Sequence, residues 1–516
     1  MWILIHKSKP LRFKMALFTF SVLPPAGHLA FSAVSLAVVY VAFQFINAFL
    51  RSPVKHIPGP WWARVSRLPL VYAIYNRRRT EYVTKLLQDY GPVVVIAPEQ
   101  VHTTDEDALK DIYSRSSVKS AFYSGMGSWK GVTSTLGFLE YEKSVPARRN
   151  LLQCFQNKKL DTLVKNISSH VEDFIQLLGA KAKEGASVDG VVVFRLLALD
   201  VVTDVLWGET DRLLSHVGQD SPVFVRRFHA FSTYNAMRGF IHGFDMLVSW
   251  FGTSRMRQLR KDCNDIDVTA RDALQRWKSN PSGHRQTDVL SMLQSMRLKD
   301  KDGDIQGIPE AHLPAYMIES LAAGSSTTSH TAAFTCRMLT LHPSAQRKLQ
   351  DELRAQFPDK DHIDEKKMVD LPYLDAVIRE TMRMYPMIPG PQERRTTHDI
   401  RAAGTVIPAG TIASTGAYNQ GRLADVYPEP EEWKPERWFD ADARMRLNWI
   451  PFGCGARICP GMNLAMIELK YIIGTTFRKF DAVPPPGYED GVIELNDVFA
   501  ASTRSGDCWL KFVVAE

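Results

Sequence analysis

The residues whose spacing carries the most chemistry run from Pro451 to Gly461, Pro-Phe-Gly-Cys-Gly-Ala-Arg-Ile-Cys-Pro-Gly. Cys459 is followed by Pro460 and then by Gly461-Met462-Asn463-Leu464-Ala465-Met466-Ile467-Glu468-Leu469, which reads as a helix with proline at its first position. Cys459 then falls at the helix N-cap. There, unpaired amide hydrogens and the positive end of the helix dipole lower a sulfur pKa, so that the thiolate can bind a metal at neutral pH. Gly453 and Gly455 supply a bend without side chains, which lets backbone approach a flat ring closely. Arg457 offers a permanent charge for a carboxylate. Cys454 and Cys459 also read as two zinc ligands or as inert buried thiols, but C-x4-C is an unusual zinc spacing and no second Cys or His pair follows.

Phe452, Gly455, Arg457, Cys459 and Gly461 fall on the five fixed positions of the pattern F-x-x-G-x-R-x-C-x-G. The chain resembles a cytochrome P450. The resemblance implies that Cys459 is the axial ligand of the iron of haem b, with Phe452 and Gly453 beside the ring and Arg457 on a propionate. A thiolate in that place pushes electron density toward iron.

Two further constellations resemble the same family. Leu374 to Tyr385 reads as a helix that Pro386 must end, and Glu380 and Arg383, three residues apart, share one face of it. The resemblance implies that Arg437, in Pro435-Glu436-Arg437-Trp438, joins them in a buried triad, assigned to structure rather than chemistry. The third lies on a long helix from Pro309 or Pro314 to just before Pro343. Ala322-Ala323-Gly324-Ser325-Ser326-Thr327-Thr328 resembles A-G-x-[D/E]-T-[S/T], which implies Gly324 as space above the haem and Thr327 as the hydroxyl of the oxygen site. Ser326 stands where the family places an acid, so proton delivery must run through hydroxyls and water or through another side chain. A small-residue run also serves close helix packing. For the propionates the resemblance adds Arg148, although Ser144 stands where a tryptophan is usual, and Arg394; buried carboxylates require such cationic partners.

The elements that must position these residues are mostly helical. Short strands are predicted at Tyr90 to Pro98, Thr405 to Ile407 and Thr411 to Ala413. At 516 residues, 45% hydrophobic and 23% charged, the chain can bury a large core. No linker or repeat divides it after residue 60. The expected fold is therefore mostly α with small β-sheets, a single P450-type catalytic domain at 63–516, preceded by an N-terminal segment at 1–29, a transmembrane helix at 30–50 and a proline-rich hinge at 51–62. Ala30 to Leu50 is uncharged and long enough to span a bilayer. Lys7, Lys9, Arg12 and Lys14 oppose the positive charges after the span, and translation from Met15 would remove them and leave the catalytic domain cytosolic. Six scattered cysteines do not form a disulfide framework, which suits a reducing compartment.

The net charge of +7 is modest for this length, and no nucleic-acid module is present. No nucleotide-phosphate loop or flavin domain appears either, so electrons must come from a separate protein. The resemblance implies an NADPH-cytochrome reductase, with cytochrome b5 as a second donor, on the endoplasmic reticulum membrane. Lys143, Arg148, Arg149 and Lys470 are candidates for its docking. The expected function is a haem-thiolate mono-oxygenase that uses O2 on a lipophilic small molecule in secondary-metabolite biosynthesis. The alternatives are rearrangement, dehydration or coupling without oxygen insertion, and a non-catalytic haem- or ligand-binding membrane protein.

Overall fold

The computed structural model describes residues 49–515 and positions 35, 43 and 46, apart from 130, 156, 211, 220–222, 242, 281–287, 296–297, 300–304, 307–308, 489–492 and 498. The N-terminal segment, Met15 and most of the 30–50 span lie outside the described residues. Among the described residues no helix is long and apolar enough to cross a membrane. The chain divides between Ser52 and Pro53 into a short first unit and a second, Pro53–Glu516, that carries the core and every candidate site residue.

Helices dominate the second unit. The central one, Leu313–Leu341, starts with proline in its first turn and stops before Pro343 opens the next helix. It packs along Gly190–Trp207, which is apolar on nearly all sides and correspondingly buried nearly throughout. Asp189 caps that helix through the Val191 N–H at 2.9 Å, and Gly208, at φ 72°, ends it in the left-handed conformation. The missing Cβ of Gly324 faces Val202, whose Cγ2 would lie 2.9 Å from it, so this glycine answers to close helix packing. Asn157–Lys183 and Met462–Lys479 complete the central layer, and the four helices share one hydrophobic core.

Small sheets lie at the periphery. The largest orders its strands as Val93–Ala97, Gln100–Thr103, Ile412–Ser414, Arg394–Arg395 and Val118–Lys119. Ile412–Ser414 runs parallel to Gln100–Thr103, and the other pairings are antiparallel. Thr405–Ile407 pairs with Ile400–Ala402 instead. The stretch expected as a hinge is packed from Pro53 onward: Val54 and Ile57 are fully buried among Val93, Val95 and Val101, and the Val95 N–H donates to the Pro58 carbonyl at 2.8 Å.

Candidate functional site

Gly453 and Gly455 stand at φ 70° and 67°, conformations that other residues rarely adopt, and they fold the 451–461 segment back on itself. The Cys459 N–H closes the loop onto the Phe452 carbonyl at 2.9 Å. No side chain fits at Gly455, because a Cβ there would collide with the Tyr113 carbonyl. The following helix begins at Met462 with Gly461 as its cap, so Cys459 is not the N-cap and Pro460 precedes the first helical turn. The reason is local: Pro460 and Gly461 form a turn, and the Gly461 N–H points to the Cys459 sulfur. Burial pushes this thiol above its ordinary value, against the opposing pull of that N–H and of the Arg148 charge. All six cysteines are free, and no cluster of three His, Cys, Asp or Glu side chains forms among the described residues, so Cys454 and Cys459 have no zinc-site partners there.

Behind the loop, Glu380, Arg383 and Arg437 meet. Five donors converge on the Glu380 carboxylate: Arg383 Nε and Nη2 at 2.9 and 2.8 Å, Arg437 Nε at 2.9 Å, the Lys434 N–H at 2.9 Å and Trp438 Nε1 at 3.1 Å. Arg383 also donates to the carbonyls of Gly421, Pro430 and Glu432, and Arg437 to those of Pro428, Glu429 and Glu432. Rings continue from this knot toward the cysteine. Trp438 meets Trp449 edge-on at 5.9 Å, and Trp449 meets Phe452 likewise at 5.9 Å. Trp438 and Trp449 escaped the sequence reading, although Trp438 directly follows Pro-Glu-Arg.

On the central helix, the residues on either side of its middle are buried, but Ala322, Ala323, Gly324, Ser326 and Thr327 are accessible. The 451–461 loop and the first turns of Met462–Lys479 are accessible too, though this helix packs against the central one. We read these accessible stretches as the two sides of one slot, small on the central helix (Ala322, Ala323, Gly324) and larger on Met462–Lys479 (Met462, Leu464, Met466). Thr327 Oγ1 donates to the Ala323 carbonyl at 2.6 Å, which commits its proton and leaves its lone pairs free. The Ser326 carbonyl accepts from His330 Nδ1 at 2.7 Å and from Ser329 Oγ at 3.1 Å. Burial and then the Arg195 charge push the His330 imidazole down to about 4, so it is neutral at pH 7.

The sequence profile of cytochrome P450 matches residues 57–505. The chain belongs to the cytochrome P450 family. Among its relatives, cytochrome P450 monooxygenase ABA2 of Pyricularia oryzae is 26% identical over 487 residues, covering 89% of this chain and 90% of that protein. Cytochrome P450 3A6 of Oryctolagus cuniculus is 28% identical over 465 residues, covering 87% and 89%. Cytochrome P450 monooxygenase atr2 of Stereocaulon alpinum is 28% identical over 465 residues, covering 86% and 88%. This P450 is an oxidoreductase of the mono-oxygenase class, and its family's cofactor is haem, supplied with O2 and with electrons from a partner reductase.

The residues beside the slot fit a dianionic ring. Lys119, Arg148, Arg394 and Arg457 form a group of like charges that act on one another. Burial, then Arg394, pushes the Arg457 guanidinium down to about 10, and its Nε and Nη1 are buried without a hydrogen-bond partner. Arg457 Nη2 donates to the Leu139 carbonyl at 2.8 Å. Arg394 is buried, donates through Nη1 to the Glu393 carbonyl at 2.8 Å, and lies over the rings of Tyr113 and Tyr123. Arg148 donates to the Ile458 carbonyl, one residue before Cys459. Tyr141 stands 5.8 Å from Arg457, giving an aromatic neighbour although the tryptophan position is Ser144. Lys119 and Arg394 are buried, Arg148 and Arg457 half-buried, and two Arg457 nitrogens lack a partner, so the group calls for an anionic partner. Lys119, in the two-residue strand Val118–Lys119, was missed because no motif in the sequence marks it.

Proposed function

We propose that this P450 carries haem in the slot between the central helix and the Cys459 loop and uses it to insert one oxygen atom from O2 into a lipophilic small molecule. The observation that carries the reading is the cationic group of Lys119, Arg394 and the half-buried Arg457, two of whose guanidinium nitrogens lack a partner, on and beside the Cys459 loop. When bound, haem would supply the oxidising chemistry, and the Cys459 thiolate would hold its iron. Arg457, Arg394, Arg148 and Lys119 would hold its propionates, and Phe452 and Gly453 would flank it. Cys459, whose thiol burial pushes up, would be held as a thiolate by the charge of a bound metal cation. Glu380, Arg383 and Arg437 fix the loop through Trp438 and Trp449. Thr327, its own proton committed to Ala323, accepts a hydrogen bond from water and so orients the proton donor at the oxygen site. Ser326 adds a second hydroxyl there in place of the family's acid, and the small side chains of Ala322 and Ala323 leave room above the ring.

The substrate wall is aromatic. Phe122 stacks on Phe240 at 4.4 Å and meets Phe499 at 5.2 Å, joining three segments far apart in sequence. These rings support a lipophilic guest, and the fungal relatives support secondary metabolism as its setting. The uncharged run Ala30 to Leu50 supports a single-pass anchor in the endoplasmic reticulum, followed by the catalytic domain in the cytosol. Exposed apolar side chains support membrane contact independently: Leu68, Tyr72 and Tyr75 on Leu68–Tyr75, and Trp250 and Phe251 on Phe244–Phe251. For the reductase, the exposed Arg149 is the best docking charge of the four expected. Arg148 is engaged at Ile458, Lys143 pairs with Glu140 at 2.6 Å, and Lys470 pairs with Asp375 at 2.8 Å. The test is the carbon monoxide difference spectrum of the reduced protein. A strongly red-shifted Soret band in wild type that disappears in Cys459→Ser is expected; a band unchanged in the variant refutes the ligand, and wild type without haem refutes the reading.

A further inference from the structure

Glu319 is the one carboxylate in the sequence of the central helix, and the chemistry described above does not use it. It stands seven residues before Ser326, about two helical turns, so the two share a face. Its oxygens accept three hydrogen bonds from one distant turn: the Thr135 N–H at 2.9 Å on Oε2, and the Thr135 hydroxyl at 2.5 Å and Leu136 N–H at 2.6 Å on Oε1. The Leu136 carbonyl in turn accepts from Lys119 Nζ at 2.7 Å. An anion from the central helix and a cation from the peripheral sheet thus grip the N–H and the C=O of the same residue. The turn is also closed on itself, by the Ser134 N–H on the Gly127 carbonyl at 2.9 Å and the Gly137 N–H on the Ser134 carbonyl at 3.0 Å. Gly127 and Gly137 press together so closely that neither has room for a Cβ. Burial opposes the charge on both Glu319 and Lys119, and each charge favours the other.

We propose that Glu319 is a positioning residue: with Lys119 it clamps the Ser134–Gly137 turn onto the accessible face of the central helix and fixes the wall against which substrate packs. The proposal rests on the reading of that face as the distal side of the haem pocket. A wall ordered before the guest arrives removes an entropic penalty from binding, so loosening it weakens affinity while leaving haem and its thiolate in place. The carboxylate reaches substrate only through the turn it holds.

The test uses the full chain as wild type, Glu319→Gln and Glu319→Ala, with two readouts. Amide exchange followed by mass spectrometry reads the clamp and does not require haem. Binding of 1-phenylimidazole, followed by the shift of the haem absorption band, reads the wall. In Glu319→Ala, exchange across 134–137 is expected to accelerate about tenfold or more, as the loss of buried hydrogen bonds requires. The rest of the central helix keeps its protection, and the Kd for 1-phenylimidazole rises about fivefold. Glu319→Gln falls between, because one acceptor oxygen remains. Unchanged exchange in Glu319→Ala overturns the clamp, and faster exchange with an unchanged Kd overturns its positioning role. Protection lost along the whole central helix would mean general destabilisation and overturn both. Absence of a haem band in wild type would instead break the pocket reading, while the exchange measurement still decides the clamp.

Discussion

Replacing Glu380 by glutamine tests how the fold holds the cysteine loop. Glutamine keeps one acceptor oxygen and turns the other into an amide nitrogen that faces donors, so at least two of the five bonds to this side chain are lost. Arg383 and Arg437 keep their charges without a counter-ion, and the side chains of Glu380 and Arg383 are wholly inaccessible to solvent. Breaking a buried pair by removing one partner costs about 3–5 kcal/mol. Each arginine retains three carbonyl acceptors, which places the expected loss in the lower part of that range, about 3–4 kcal/mol. Against a total stability of about 5–15 kcal/mol this is a large fraction. Urea unfolding of wild type and Glu380→Gln reads the stability, and the reduced carbon monoxide spectrum over time reads whether the loop still presents Cys459. Loss is expected in both, with decay of the thiolate band preceding global unfolding because the rings of Trp438, Trp449 and Phe452 connect the triad to the loop. A variant within about 1 kcal/mol of wild type that keeps its band would refute the reasoning, since a stranded buried charge cannot be that cheap.

Two further outcomes follow from buried charge. Glu468 is buried with Oε1 unpaired, and burial pushes it from 4.5 to about 8. The fold therefore binds a proton that the unfolded chain releases, and stability falls by about 1.4 kcal/mol per pH unit as pH rises from 4.5 to 8. Glu468→Gln should remove that slope, and parallel stability-versus-pH curves for variant and wild type would contradict the assignment. Arg457→Gln should accelerate transfer of haem to a scavenging apoprotein by roughly ten- to a hundredfold, the equivalent of one charge-assisted hydrogen bond. An unchanged transfer rate would remove Arg457 from the propionate group.

What could be read before folding was what local rules govern. Pro314, Pro343 and Pro386 bound their helices by steric exclusion, and Gly453 and Gly455 mark a backbone that few other residues can follow. The position of Cys459 relative to its helix was not legible, because two arrangements of Pro460-Gly461 are locally acceptable. The turn prevails here, with the Gly461 N–H directed to the sulfur. Gly324 shows the same division. Its place in a small-residue run was plain, yet only the approach of Val202 reveals which side of the helix needed the space.

The sequence alone determined the family, through five fixed residues of which one is the cysteine, and the helical class, through proline stops and hydrophobic period. Those features lie within a turn or two of chain, where spacing dictates geometry. Tertiary structure decided which charges meet. Lys119 joins Arg394 and Arg457, Trp438 and Trp449 link Glu380 to Phe452, and Glu319 holds a turn more than 180 residues away. Pairings of that kind depend on how whole helices pack against one another, and no local spacing encodes them.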